Sequence, residues 1–324
     1  MVSTATSVFI CVHLCNLRNL YQKKVSPHQP KFENYSWSSC DIARENLIHS
    51  QSHCNMNTHT FSLRSGTTPL VLSLPHVGTE IPDAIKPLYV DRALAVEDTD
   101  WHLEKLYDFA VPLGASIITP KFSRYVIDLN RPPDNTPMYP GASNTELCPS
   151  TFFNGEPLYR VGLQPDELDV DQRRETYWRP YHDALDAELS RIREKFGYAL
   201  LWDGHSIRSE IPWLFDGKLP DLNLGTASGA SSDASLRTRL ADLLVRDARN
   251  THAVDGRFKG GYITRHYGRP HDGFHAVQLE MCQSLYMQEV SPFDFDEAKS
   301  AQIQPMLKRL LQVMLDWSPS SGTC

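Results

Sequence analysis

Short apolar runs alternate along this chain with stretches whose apolar residues recur at helical spacing. Residues 60–63 and 69–74 predict two short strands, joined by the polar turn Arg64-Ser65-Gly66-Thr67-Thr68. Leu103, Leu106, Tyr107 and Ala110 follow a 3.6-residue period, which predicts a helix over 96–110 capped by Asp98, Thr99 or Asp100. Residues 115–119 predict a strand stopped by Pro120, and 125–129 another that ends in Asn130-Arg131-Pro132-Pro133. Pro, Gly, Asn and Ser dominate 132–162, an expected long irregular loop of the kind that often carries function. A long helix is expected over 166–196, with Leu185, Leu189, Ile192 and Phe196 as its stripe and Pro180 kinking or dividing it. Residues 196–202 read as a buried strand running into the turn Asp203-Gly204-His205-Ser206. After a loop over 212–232, a helix is expected at 236–248, strands at 261–267 and 276–280, and a final helix carrying Ile303, Met306, Leu307, Leu310, Val313 and Trp317. Strands alternating with helices argue a single α/β domain around a central sheet.

Composition narrows the class. With 41% apolar residues among 324, the chain can bury a substantial core. A formal charge of −7 argues against nucleic acid as a partner. The seven cysteines (Cys11, Cys15, Cys40, Cys54, Cys148, Cys282 and Cys324) form no C-x-x-C pair, and a reducing, cytoplasmic setting is the simplest expectation. Near the N-terminus the apolar patch 8–14, broken by His13, falls far below the ~20 residues that span a bilayer, so no membrane partner is expected. Arg18, Lys23 and Lys24 follow that patch instead of preceding it, against a signal peptide. The expected organisation is a disordered extension over 1–55, a catalytic domain over 56–318 and a flexible tail over 319–324, with homo-oligomerisation left open.

The candidate chemistry sits where two predicted strands each run into a histidine. Residues 69–74 lead into Pro75-His76-Val77-Gly78-Thr79-Glu80, and 196–202 lead into Asp203-Gly204-His205-Ser206. In open α/β sheets ligands gather beyond the carboxyl ends of strands. A single loop histidine is usually an ordinary polar residue; two at matched strand ends point to a shared metal. A catalytic zinc takes about three protein ligands, so a carboxylate is expected beside the imidazoles, with Asp100, Asp98 and Glu80 as candidates. Asp203 is placed to orient the His205 ring. Alternation over 276–281 puts Gln278 and Glu280 on one strand face, and Glu280 is the expected general base and later acid. Arg124, Arg131, Arg208 and Arg269 fall in loops or at strand ends, where guanidinium forks would bind a small anionic substrate. No G-x-S-x-G elbow and no G-x-G-x-x-G loop occurs. Cys282 suits packing better than attack, and His266, His271 and His275 are too irregularly spaced for a second metal.

Taken together, residues 73–82 (Ser-Leu-Pro-His-Val-Gly-Thr-Glu-Ile-Pro), Asp98-Thr99-Asp100-Trp101, Val126-Ile127-Asp128-Leu129-Asn130-Arg131, Asp203-Gly204-His205-Ser206, Gly268-Arg269-Pro270 and His275 through Glu280 resemble the N-formylglutamate amidohydrolase (N-formylglutamate deformylase) family. The match runs in order from about Met56 to Leu315. The resemblance implies a fold similar to zinc carboxypeptidases and aspartoacylases: a mixed sheet between helices, with one zinc ion. It implies hydrolysis of N-formyl-L-glutamate to L-glutamate and formate, the last step of one histidine-degradation route. His76 and His205 match the family's histidines, and Asp100 is the carboxylate ligand carried over. In carboxypeptidases a glutamate follows the first histidine by three; here Glu80 follows His76 by four. Asn130 and Arg131 resemble the pair that holds a substrate carboxylate, and Glu280 resembles the general base. Arg131 is also expected to help stabilise the oxyanion, with Arg124, Arg208 and Arg269 clamping the substrate's carboxylates. The alternatives are hydrolysis of another N-acyl amino acid, a carboxypeptidase-like reaction, or a non-catalytic ligand-binding relative.

Overall fold

The computed structural model describes residues 55–57, 59–138 and 145–319. The expectations of a disordered extension over 1–55 and a flexible tail over 319–324 therefore fall almost wholly outside the described residues. Among the described residues eight strands form one mixed sheet: β1 (Asn55–Asn57), β2 (Phe61–Arg64), β3 (Leu70–Ser73), β4 (Ser116–Pro120), β5 (Ala199–Ile207), β6 (Leu222–Gly225), β7 (His252–Val254) and β8 (Phe274–Cys282), in the order β1-β2-β4-β3-β5-β8-β6-β7. The central β4, β3, β5 and β8 are mutually parallel, which brings their carboxyl ends to one side of the molecule.

Both faces of the centre are buried, so its strands are apolar almost throughout. Leu70, Leu72, Leu200, Trp202, Val277 and Leu279 pack on one side against α4 (Ala234–Val245) and α6 (Glu297–Leu315). Val71, Leu201 and Ala276 pack on the other against α3 (Arg179–Phe196), through Tyr181, Leu185, Leu189 and Ile192. Period-2 alternation then decides where the polar residues go. Asp203 and His205 continue the Leu201 face, and Gln278 and Glu280 continue the Ala276 face. His205 is registered opposite Glu280, and both point to the α3 side.

The predicted helix over 166–196 is present, with one local change. Asp166 caps α2 (Glu167–Arg173) in a reciprocal box with Asp169, and α3 follows after a single π turn at Arg174–Trp178. Pro180 lies in the first turn of α3 and has no N–H to offer the preceding carbonyls, so a wide turn joins the helices without a break.

Four expectations are corrected. The helix over 96–110 shrinks to α1 (Leu103–Leu106) and a 3-10 turn at Asp108–Ala110, because Val96 and His102 take left-handed φ values of 43° and 62°. Asp98 and Asp100 are thereby buried loop residues and not helix caps. Residues 125–129 form turns, not a strand: Tyr125, Val126 and Leu129 are buried from an irregular segment. Residues 261–267 are helical, as α5 (Tyr262–Tyr267), with Asn130 Oδ1 accepting from Ile263 N at 2.8 Å. Asp203-Gly204-His205-Ser206 is not a turn but the continuation of β5, where a side chain at Gly204 would meet Leu74 Cδ2 at 2.7 Å. The short strands β6 and β7 carry too little pattern to be foreseen. Among the described residues no helix is long and apolar enough to cross a membrane.

Candidate active site and metal centre

His76 lies just past β3 and His205 lies near the end of β5, its parallel neighbour. Their Nδ1 atoms are 3.2 Å apart. Asp100 completes the group, with Oδ2 at 3.2 Å from His205 Nδ1 and 3.7 Å from His76 Nδ1. Among the described residues these three form a group whose ligand atoms all lie within 4.8 Å of one another, and all three are buried. The donor set of two imidazoles and one carboxylate fits a catalytic divalent metal such as zinc.

The far side of the His76 ring is held as a metal ligand requires, whereas His205 Nε2 faces an amide donor. Asp128 Oδ1 sits 2.7 Å from His76 Nε2. A carboxylate only accepts, so the proton is on Nε2 and the Nδ1 lone pair faces Asp100 and His205. His205 Nε2 lies 3.0 Å from Asp203 Oδ1 and 2.9 Å from Asn130 Nδ2. The approach to Asp203 Oδ1 is off the hydrogen-bonding direction, so that carboxylate acts on the ring mainly through its charge. Burial opposes a proton on His205, yet the Asp203 charge and the hydrogen bond to Asp100 hold its pKa well above the ordinary imidazole value. Burial likewise opposes charge on Asp100 and Asp128. The hydrogen bond with His205 nevertheless lowers Asp100, and contacts with His76 and Arg124 lower Asp128.

A cavity of about 200 Å³ opens beside this cluster. His76, His205 and Glu280 line it together with Arg124, Arg131 and Arg257. Burial, reinforced by the Asp100 and Asp203 carboxylates, pushes Glu280 up to about 8, against the pull of His205 and Arg124. A buried, raised carboxyl beside a candidate metal cluster is the environment of a general base or acid.

Comparisons with known proteins identify the family. The N-formylglutamate amidohydrolase family model matches residues 68–287. The chain belongs to that family. It is 52% identical over 256 residues to the N-formylglutamate deformylase of Pseudomonas putida and 47% identical to that of Pseudomonas aeruginosa, covering 79% of this chain and 96% of each relative. The fold matches the crystal structure of the N-formylglutamate amidohydrolase from Ralstonia eutropha with a TM-score of 0.68 and 24% identity, over 80% of this chain and 98% of that one.

Within this family member the residues singled out from the sequence separate cleanly. His76, Asp100 and His205 come together, and Glu280, Arg124, Arg131 and Asn130 surround the same cavity. Of the three candidate carboxylates, Glu80 is exposed, and Asp98 takes Arg208, the Tyr125 hydroxyl and Phe153 N. Arg208 is thus bound to Asp98 and is not among the cavity residues. Arg269 lies at the opposite end of the sheet, beside Phe274 at the start of β8, and pairs with Asp272. Asn130 has its amide turned to His205 and Ile263, so it braces the site from within. Asp128 and Arg257 were missed. Asp128 is a carboxylate in an otherwise apolar Val-Ile-Asp-Leu run, which is itself a signal; Arg257 sits in a segment with no pattern.

Proposed function

We propose that this chain hydrolyses N-formyl-L-glutamate to L-glutamate and formate with one zinc ion held by His76, Asp100 and His205. The observation that carries this reading is the shared cavity, where the two histidines of the ligand cluster meet Glu280 and three guanidinium groups. Two relatives that match four-fifths of the chain bear the name N-formylglutamate deformylase, which supports the substrate. A bound zinc supplies a charge that polarises the formyl carbonyl and lowers the pKa of a water toward ~7.

The chain's own residues do the rest. Glu280 takes a proton from the water that adds to the formyl carbon, and returns it to the glutamate nitrogen as the C–N bond breaks. One group serves as base and then as acid, which its cavity position and raised pKa suit. Arg124 is held by Asp128 at 2.6 Å and contributes mainly to shaping the wall. Arg131 spends three of its five N–H donors on Thr145 and Asn130 and keeps two for the carboxylate next to the scissile amide, or for the developing oxyanion. The reaction fits the last step of a histidine-degradation route in the cytoplasm. Formate release from N-formylglutamate, measured with and without a chelator, tests the proposal: release that the chelator does not touch removes the metal, and no release at all removes the substrate.

A further inference from the structure

A substrate with two carboxylates needs two cationic partners, and of the three cavity arginines Arg124 is ion-paired and Arg131 is partly engaged. Arg124 is ion-paired to Asp128 at 2.6 Å and has Asp100 at 3.9 Å. Arg131 is bound to Thr145 O, Thr145 Oγ1 and Asn130 O. Arg257 is different. Its neighbours are the rings of Phe215 and Phe258, with its guanidinium carbon 5.2 and 5.9 Å from their centroids, and among the described residues it has no ion pair. It faces the same cavity as His76, His205 and Glu280.

The loop that carries it, residues 255–261, is fixed at both ends. Asp255 has a left-handed φ of 51°, and its carboxylate accepts from Thr226 N and Thr226 Oγ1 at 2.7 Å each and from Arg237. Gly261 N donates to Gln278 Oε1 at 2.7 Å, two residues before Glu280 on the same strand face. Between these anchors the loop lies so close to β6 that a side chain at Gly225 would come within 2.6 Å of Gly260 N. Arg257 is exposed while it lines the cavity, so its guanidinium, on a braced loop beside two rings and with no ion pair among the described residues, is open to an anion entering there.

We propose that Arg257 binds the side-chain carboxylate of the substrate and so selects acidic over neutral acyl amino acids. The carboxylate on Cα lies one bond from the carbon that bears the scissile nitrogen, and so belongs near the reacting centre. Arg131 adjoins Asn130, whose amide is 2.9 Å from His205, and suits that group. The distal carboxylate is left for Arg257. The assignment rests on the deformylase reading above for the identity of the substrate.

The test compares wild type, Arg257→Gln and Arg257→Lys on N-formylglutamate and its neutral isostere N-formylglutamine. Arg257→Gln is expected to raise KM for N-formylglutamate about 10- to 100-fold, with kcat and the N-formylglutamine constants little changed, and Arg257→Lys to recover part of the loss. Equal losses on both substrates, or none on either, overturn the proposal. The products carry the same side chain, so calorimetry of L-glutamate against L-glutamine on the metal-loaded chain reads the contact without turnover. A preference for glutamate that disappears in Arg257→Gln supports the assignment even if no formate is released; no preference in wild type, or one that survives the substitution, ends it.

Discussion

His76 and His205 are 129 residues apart in sequence, and their Nδ1 atoms lie 3.2 Å apart in space. The cause is the parallel pairing of β3 with β5, which registers Ser73 opposite Asp203 and so lets both strands deliver a histidine beyond that row. Two imidazole nitrogens facing each other beside a carboxylate need a proton or a metal ion among them. Without a metal the proton on His205 Nδ1 fills that place, donating to Asp100 Oδ2 at 3.2 Å, in keeping with the raised pKa of His205.

Metal loading is therefore expected to stabilise the fold. At a free concentration 100 times Kd the gain is ~2.7 kcal/mol, which for a domain of this size raises Tm by roughly 5–10 °C. Thermal melts with zinc and with a chelator measure it. His205→Ala should abolish the zinc-dependent shift; a shift of unchanged size in that variant would mean the ion binds elsewhere.

Asp128 is expected to matter for the metal although it does not touch it. Its Oδ1 fixes the His76 tautomer, and its Oδ2 neutralises the buried Arg124. Asp128→Asn should weaken metal affinity about 10- to 100-fold, read by competition against a chromogenic chelator. It should also lower stability, because a buried guanidinium loses its counter-charge. Unchanged affinity in a folded variant would show that the His76 ring is held without Asp128.

How far the sequence reached depends on whether a signal was local. The two histidine-bearing strand ends, the alternation that separates Glu280 from Leu279, and the long helix ending at Phe196 are all set by neighbours in sequence, and all are readable. The turns at 125–129 are not, because their apolar residues mimic a strand while Asp128 and Asn130 are fixed by His76, His205 and α5 from elsewhere. Residues 261–267 read as a strand for the same reason: the helix begins where a distant asparagine accepts one of its N–H groups. Arg208 and Arg269 have the chemistry expected of substrate ligands, yet tertiary pairing with Asp98 and Asp272 uses them outside the cavity. Arg257 had nothing beside it in sequence to mark it.

Glu280→Gln separates binding from chemistry. The amide keeps the shape of the side chain but cannot take a proton from water. Turnover is expected to fall by about 10²–10⁴ while metal content and KM stay near wild type. Near-full turnover would move the base to another residue.

The same substitution makes the protonation of Glu280 visible in stability. Burial, with the carboxylates of Asp100 and Asp203, places this carboxyl at about 8 in the folded, metal-free chain. In the unfolded chain it returns to about 4.3. Between these values the native state holds a proton that the unfolded state has released, so the native state binds more protons and unfolding free energy falls as pH rises. The stabilising contribution is complete below about 4.3 and is lost as pH climbs through about 8. Gln has nothing to titrate. Denaturant melts of the metal-free proteins from pH 5 to pH 8 should therefore show wild type losing ground to Glu280→Gln by on the order of 1 kcal/mol per pH unit. Parallel stability curves for the two proteins would mean that Glu280 is already ionised at neutral pH, and that a cation is not needed to free it for proton transfer.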